Sequence, residues 1–397
     1  MRRKIVSVMM AAILAVIGAG CGSTQIDDYA TNQGYDTAED TDGSGQSDAV
    51  VSDKAIPKEQ IKVGVIHLSD PAEGSGYTYT HDLGIQGMQK NLGLSDDQID
   101  RKINVDDSDA DATRQAIQEC IDDGCNIIFT TSWGYMDVTA EMAEEYPDIY
   151  FSHGTGYKSN GKNFNNYFGR IYQARYLSGI VAGMNTKSNK IGYVAAMDTS
   201  NSEVTGGIDA FALGVYSVNP DAQVYVKVTN SWYDPEAEKD AANTLLDLGC
   251  DVLTQHCDTI SPQTLAQDRG VYSIGYNSDM SKEAPNACLC SVIWNWSAYY
   301  TTAVQSVING TWDGSNYYGG MSENLVSLTS LADFAADGTA EKIEEAKQQI
   351  LSGENGVFDG VIETNTGETV GTEGQTLDDA TITGGINWYF KTVQVVE

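Results

Sequence analysis

KIGYVAAM (190–197), EVTGGIDAFALGVYSV (203–218) and AQVYVKVTN (222–230) read in order as an apolar strand, an amphipathic helix and a second strand. The first run is apolar nearly throughout, as a strand covered on both faces requires. A helix spanning the gap between two strands leaves them side by side and parallel. The same alternation extends in both directions. Upstream lie KVGVIHL (62–68), NIIFTTS (126–132) and IYFSHGT (149–155); downstream lie DVLTQHC (251–257) and VYSIGYN (271–277). Helical periodicity predicts further helices over 80–91, 111–123, 137–145, 171–185, 235–248, 261–269 and 298–309. Two α/β units therefore follow one another, the second opening at Lys190. No long linker separates them, so they are expected to be lobes joined by crossovers. Each lobe is then a parallel sheet flanked by helices, and ligand belongs in the cleft at the carboxyl ends of the strands. Gly179 and Gly183 inside a helix predict close helix packing.

The ends assign the compartment. Arg2, Arg3 and Lys4 precede an apolar run from Ile5 to Ile17, then Gly18, Ala19, Gly20 and Cys21. This is the pattern of a secretion signal, shorter than the ~20 residues of a membrane span. A cysteine after small residues predicts a lipobox with Cys21 acylated, although Gly18 stands where a larger aliphatic residue is usual. Ordinary cleavage to a soluble product is the alternative. Residues 22–57 are rich in Ser, Gly, Asp, Asn and Thr, a composition that cannot offset its ordering entropy and predicts a tether. The expected division is a signal peptide over 1–20, acylated Cys and tether over 21–59, an N-terminal lobe over 60–170 plus about 298–325, and a C-terminal lobe over 171–297 plus about 326–397. The protein is thereby placed at the cell membrane, lipid-anchored on the extracytoplasmic face. A net charge of −33 argues against nucleic acid and anionic surfaces as partners.

Catalytic signatures are missing: no G-x-S-x-G elbow, H-E-x-x-H or Walker loop occurs. Asp106, Asp107, Asp109 and Asp111 lack the glycine and closing glutamate of a calcium loop, where Ala112 and Gln118 stand instead. They are expected to cap the following helix. Cys120, Cys125, Cys250, Cys257, Cys288 and Cys290 show no C-x-x-C pair and no zinc spacing with His67, His81, His153 or His256. Buried free thiols are expected, with one disulfide as the alternative outside the cell. No enzyme activity, metal or cofactor is predicted. His67, His153 and His256 fall at strand ends, where each either faces ligand or is satisfied within the core.

Aromatic residues gather after the strands: Tyr77 and Tyr79, Trp133 and Tyr135, Tyr157, Trp232 and Tyr233, Tyr276, then Trp294 and Trp296. Sheet packing explains large rings at such positions poorly. A flat π-ligand would be held well there, at ~1–3 kcal/mol per stacked base, with Ser69, Asp70, Ser132, Asp198, Asp258, Asn277 and Asp279 as polar edges. Lobe–lobe packing or a solvent-facing rim accounts for the remaining rings.

Taken together, GYTYTHDLG (76–84), FTTSWGYMD (129–137), HGTGY (153–157), YFGRIYQARYLSGIVAG (167–183), SNKIGYVAA (188–196), WYDP (232–235), GYNSDM (275–280), SVIWNW (291–296) and INWYF (386–390) resemble the basic membrane protein family across residues 60–397. The resemblance implies a type I periplasmic-binding fold and a lipoprotein that binds purine nucleosides or purine bases for an ABC permease and its ATPase. It also implies that Tyr77 occupies the base-stacking place, that Asn277 and Asp279 match the polar pair, and that Trp294 stands where nucleoside binders carry a ribose-holding lysine. GSGYTYT (74–80) replaces their acidic run. Both departures remove ribose ligands and favour a free base such as adenine or guanine, with a nucleoside second. The expected site is Tyr77, Trp133 and Trp294 around the ring and Asn277 and Asp279 on its edge, with Tyr276, Ser132, Asp258, Trp232 and Ser69 nearby. The protein is expected to act as a monomer. A sensing receptor of the same fold, or a binder of another small aromatic solute, is the alternative function.

Overall fold

Val63, Gly64, Val65 and Ile66 are all buried and form the first strand of a computed structural model that describes residues 54–397. The predicted signal peptide, Cys21 and nearly all of the tether lie outside the described residues. In chain order the first unit comprises β1 (Val63–Ile66), α1 (Gly76–Leu92), β2 (Ile99–Lys102), α2 (Ala110–Asp122), β3 (Ile127–Thr130), α3 (Met136–Glu145), β4 (Tyr150–Gly154) and β5 (Phe164–Gly169). The second comprises α4 (Ile171–Asn185), β6 (Lys190–Ala195), α5 (Ser202–Val218), β7 (Gln223–Val228), α6 (Pro235–Asp247), β8 (Val252–His256), α7 (Ser261–Arg269), β9 (Tyr272–Asn277) and β10 (Cys288–Trp294). After α8 (Trp296–Ile308) come β11 (Tyr317–Gly319), β12 (Val326–Leu328), α9 (Thr339–Ser352), the hairpin β13 (Asp359–Glu363) and β14 (Thr369–Thr376), α10 (Asp379–Gly384) and β15 (Val393–Val395).

The strands form two large sheets, ordered β11-β5-β4-β3-β1-β2 and β12-β10-β9-β8-β6-β7-β15. Every pair in them is parallel except β10–β12. The chain passes between the sheets three times: after β5, after β10 and after β11. This is a two-lobed α/β architecture. In each sheet the order reverses beside the first strand, between β1 and β3 and between β6 and β8. Such switch points open a crevice at the carboxyl ends of the strands.

Local chemistry sets the helix starts. Asp109 caps α2 by accepting the Asp111 and Ala112 amides at 3.0 and 3.1 Å, the role expected of the aspartate run. Asn201 caps α5, and Asp234 followed by Pro235 starts α6. Helices α4 and α5 touch backbone to backbone. A Cβ on Gly179 would meet the Phe211 carbonyl at 2.0 Å, and one on Gly214 the Tyr176 carbonyl at 2.0 Å.

The structure adds strands that hydrophobic pattern did not signal. IDRK (99–102) is β2, an edge strand of half-buried polar residues held by Arg101 to Asp82 and by Lys102 to Asp123. Helix α1 starts at Gly76 rather than near residue 80, so Tyr77 and Tyr79 are helical. Tyr276 lies within β9, and Trp294 ends β10. All six described cysteines are buried and free. Among the described residues, no helix is long and apolar enough to cross a membrane.

Candidate functional site

The first turn of α1 follows the switch-point strand β1 and meets the strand ends of the other sheet. Gly76, at φ +79°, lies so close to Asp258 that a Cβ there would be 3.0 Å from the Asp258 carbonyl oxygen. One turn on, the Thr80 hydroxyl donates to the Asn277 carbonyl at 3.1 Å and approaches the Trp294 carbonyl at 3.4 Å. Between these contacts sits Tyr77, whose hydroxyl donates to the Thr131 carbonyl at the end of β3. Burial, then the neighbouring Tyr167, Glu203, Tyr276 and Asp258, pushes the Tyr77 hydroxyl well above its ordinary value. Tyr77 is therefore half-buried, with groups from both sheets around it.

The second sheet supplies most of the polar groups. The Asn277 backbone is left-handed, with φ +66°, and its Nδ2 donates to Asp258 Oδ1 at 2.6 Å. Burial and then repulsion from Glu238 push the Asp258 carboxyl up to about 8, against the stabilising Asn277 bond. Glu203, at the start of α5, is pushed up to about 7 by burial while the Arg175 guanidinium pulls it down. Arg175 is fully buried and lies 4.1 Å from the Tyr276 ring centroid, with Nη1 donating to the Gln255 carbonyl. The His256 ring packs edge-on against Tyr276 at 4.7 Å and places Nε2 3.6 Å from Glu203 Oε1. Among the described residues, Asn277 Oδ1, His256 Nε2, Arg175 Nε and Nη2, His81 Nε2 and Trp296 Nε1 are buried without a hydrogen-bond partner. Native proteins seldom leave so many buried polar atoms unpaired in one region.

A column of rings adjoins these groups. Trp296 lies between His81, at 4.5 Å and 14°, and Trp294, at 4.5 Å and 10°. Trp294 also meets Phe168 at 5.1 Å and directs Nε1 to the Tyr276 hydroxyl at 3.4 Å. His81 Nδ1 and the Tyr167 hydroxyl both bond the Tyr300 hydroxyl, at 2.6 and 2.8 Å.

Of the residues expected at the site, Tyr77, Asp258, Tyr276, Asn277 and Trp294 come together. Trp232 packs against His256 with centroids 5.9 Å apart. Ser132 is turned toward its own lobe, donating to Asp107 at 2.5 Å while its carbonyl meets His153 Nε2. Ser69 lies half-buried just beyond β1. Two others stand apart. Trp133 is 57% exposed and pairs with Tyr157, and Asp279 is exposed with its carboxylate accepting the Ser281 amide at 2.9 Å. Glu203, Arg175 and His81 carry no sequence signal for the site. Each lies on a helix, where an ionisable residue normally signals a solvent face or an ion pair.

The crevice, its switch points and its ring column coincide with a family match. Residues 61–359 match the model of the Bmp family, described as ABC transporter substrate-binding protein PnrA-like. The chain belongs to this family. Its members are solute-binding proteins rather than enzymes, so this chain is the substrate-binding protein of an ABC transporter, with a small-molecule ligand and a transporter partner on the extracytoplasmic side. A purine-binding protein of Brucella abortus is 36% identical over 335 residues, covering 84% of this chain and 93% of that one. A Haloferax volcanii protein named "Putative ABC transporter glucose-binding protein" is 31% identical, covering 90% of each chain. Among solved structures, an ABC transporter solute-binding protein of Conexibacter woesei superposes with a TM-score of 0.63 at 19% identity, over 74% of this chain and 97% of that one. This last likeness concerns the fold alone.

Proposed function

We propose that this Bmp-family chain captures a purine base, adenine or guanine, with a purine nucleoside as the second choice, and delivers it to an ABC permease. The observation that carries the reading is the juxtaposition of Tyr77, Tyr276 and the Trp294–Trp296 column with buried polar atoms that lack protein partners. Rings offer a planar heterocycle its faces. Asn277, Asp258, Glu203 and Arg175 offer donors and acceptors to its edge, where a mismatch is costly. Trp133 and Tyr157 form an outer rim. The purine-binding relative at 36% identity supports the same choice.

Closure supplies the signal in this reading. Contacts from both lobes favour the closed form, and only a ligand with differential affinity for that form shifts the balance. Cys21, acylated and made the N-terminus by removal of the signal segment, would hold the protein at the membrane. The glucose-named relative favours one competing class, a sugar. Titration calorimetry of the purified chain against adenine, guanine, inosine and glucose decides between them, preceded by native mass spectrometry for co-purified solute. Binding of glucose with no response to any purine would sink the proposal.

A further inference from the structure

Helix α2 ends in a six-residue turn whose two flanking side chains are both thiols. Gly124 is left-handed, with φ +87°; its amide donates to the Ile121 carbonyl at 2.9 Å and the Cys125 amide to the Cys120 carbonyl at 2.9 Å. This pair of bonds is a Schellman motif, which brings together the side chains at the two positions held here by Cys120 and Cys125. The ligand atoms of Cys120, Cys125 and Asp100 lie within 4.8 Å of one another. Beneath the sulfurs is Gly64 of β1. A Cβ at that position would stand 3.0 Å from the Cys120 sulfur and 3.3 Å from that of Cys125, so the strand glycine makes room for the pair.

We propose that Cys120 and Cys125 are a disulfide-forming pair, oxidised as the chain folds on the extracytoplasmic side and stapling the end of α2 to the entry of β3. Asp100 is already ion-paired to Lys102 at 3.1 Å, which leaves two sulfurs rather than a metal-ligand set. The reaction is thiol–disulfide exchange with a low-molecular-weight or protein disulfide as oxidant. One thiolate attacks the oxidant's S–S bond and expels a thiolate; the second thiolate then attacks the mixed disulfide and expels the other half. Two protons and two electrons leave the pair, and the oxidant becomes two thiols. Timing follows from burial. In the folded protein both residues are enclosed, and the hydrogen bond with Cys125 and then burial push the Cys120 thiol far up, so its thiolate is scarce. Exchange therefore belongs to folding, before the turn is covered.

The test refolds the full chain from denaturant in mixtures of oxidised and reduced glutathione, then alkylates it in fresh denaturant and digests it with trypsin. Residues 115–158 form one tryptic peptide carrying Cys120 and Cys125 and no other cysteine. The expected product is this peptide two hydrogens lighter and unalkylated, while Cys250, Cys257, Cys288 and Cys290 are alkylated. Cys125→Ser should abolish the light species and leave Cys120 alkylated, with its circular dichroism spectrum reporting the fold. Gly64→Ala should lower the oxidised fraction by crowding the sulfurs. Double alkylation of the natural peptide at every glutathione ratio, or a bond from either cysteine to another partner, overturns the proposal.

Discussion

The Thr80 hydroxyl donates to the Asn277 carbonyl at 3.1 Å, so a helix that follows the first sheet's switch-point strand is bonded to a strand end of the second. Both groups are buried, and the carbonyl belongs to a residue in the left-handed region. Thr80→Val keeps the volume and deletes the donor, leaving the carbonyl unsatisfied. The expected loss is ~1–3 kcal/mol of stability, read as a lower midpoint in urea unfolding of the full chain.

Acidity at the cleft sets a pH dependence. The folded Asp258 carboxyl is pushed up to about 8, chiefly by burial, while Glu203 and Glu238 stand at about 7 for the same first cause. The unfolded chain titrates these groups near their ordinary values, so between about pH 4 and 8 the folded state binds the extra protons. Stability is then fully present below the unfolded values and is lost as pH rises through the folded ones. Asp258→Asn removes one of these costs and keeps an oxygen for Asn277. Thermal unfolding should show the variant matching the natural protein near pH 4 and surpassing it above about pH 8.

Much of this architecture was legible because it is written in hydrophobic periodicity. Buried strands such as Val63–Ile66 and Ile127–Thr130 are continuous apolar or small runs, and helices of the fold carry caps at Asp109, Asn201 and Asp234. Edge strands were silent, because Ile99–Lys102 has one buried apolar residue and three polar residues held by ion pairs. At the site, the rings Tyr77, Tyr276 and Trp294 could be read from their clustering near strand ends, although Tyr276 lies within β9 and Trp294 is the last residue of β10. Glu203 and Arg175 could not, since sequence gives no warning that charges on two separate helices will come near one another at the cleft. Trp133 and Asp279 show the converse: ring and acid types that suit a ligand, on backbone that leaves them at the surface.

Backbone contact between α4 and α5 predicts intolerance of a single methyl. A Cβ on Gly179 would lie 2.0 Å from the Phe211 carbonyl and 2.9 Å from the Val215 amide, both main-chain groups that cannot swing aside. Gly179→Ala must therefore push α4 and α5 apart, although they begin on either side of the second sheet's first strand. Overpacking of this kind costs ~1–3 kcal/mol or more. Gly206→Ala, whose nearest neighbours stand at 3.6 Å and beyond, is the matched control and should unfold close to the natural midpoint.

Tyr77 separates ring from hydroxyl in ligand capture. Its ring stands edge-on to His81 at 4.4 Å, and its hydroxyl is spent on the Thr131 carbonyl, so any contribution to a bound heterocycle must come through the ring. Removing one stacking partner costs ~1–3 kcal/mol, or roughly 5- to 150-fold in affinity. Tyr77→Ala should weaken adenine or guanine binding by that factor in calorimetry. Tyr77→Phe should retain most of the affinity, because the lost bond is internal to the first lobe. Equal weakening by both variants would assign Tyr77 to holding the end of β3 rather than to gripping the base. No weakening by alanine would remove the ring from the site altogether.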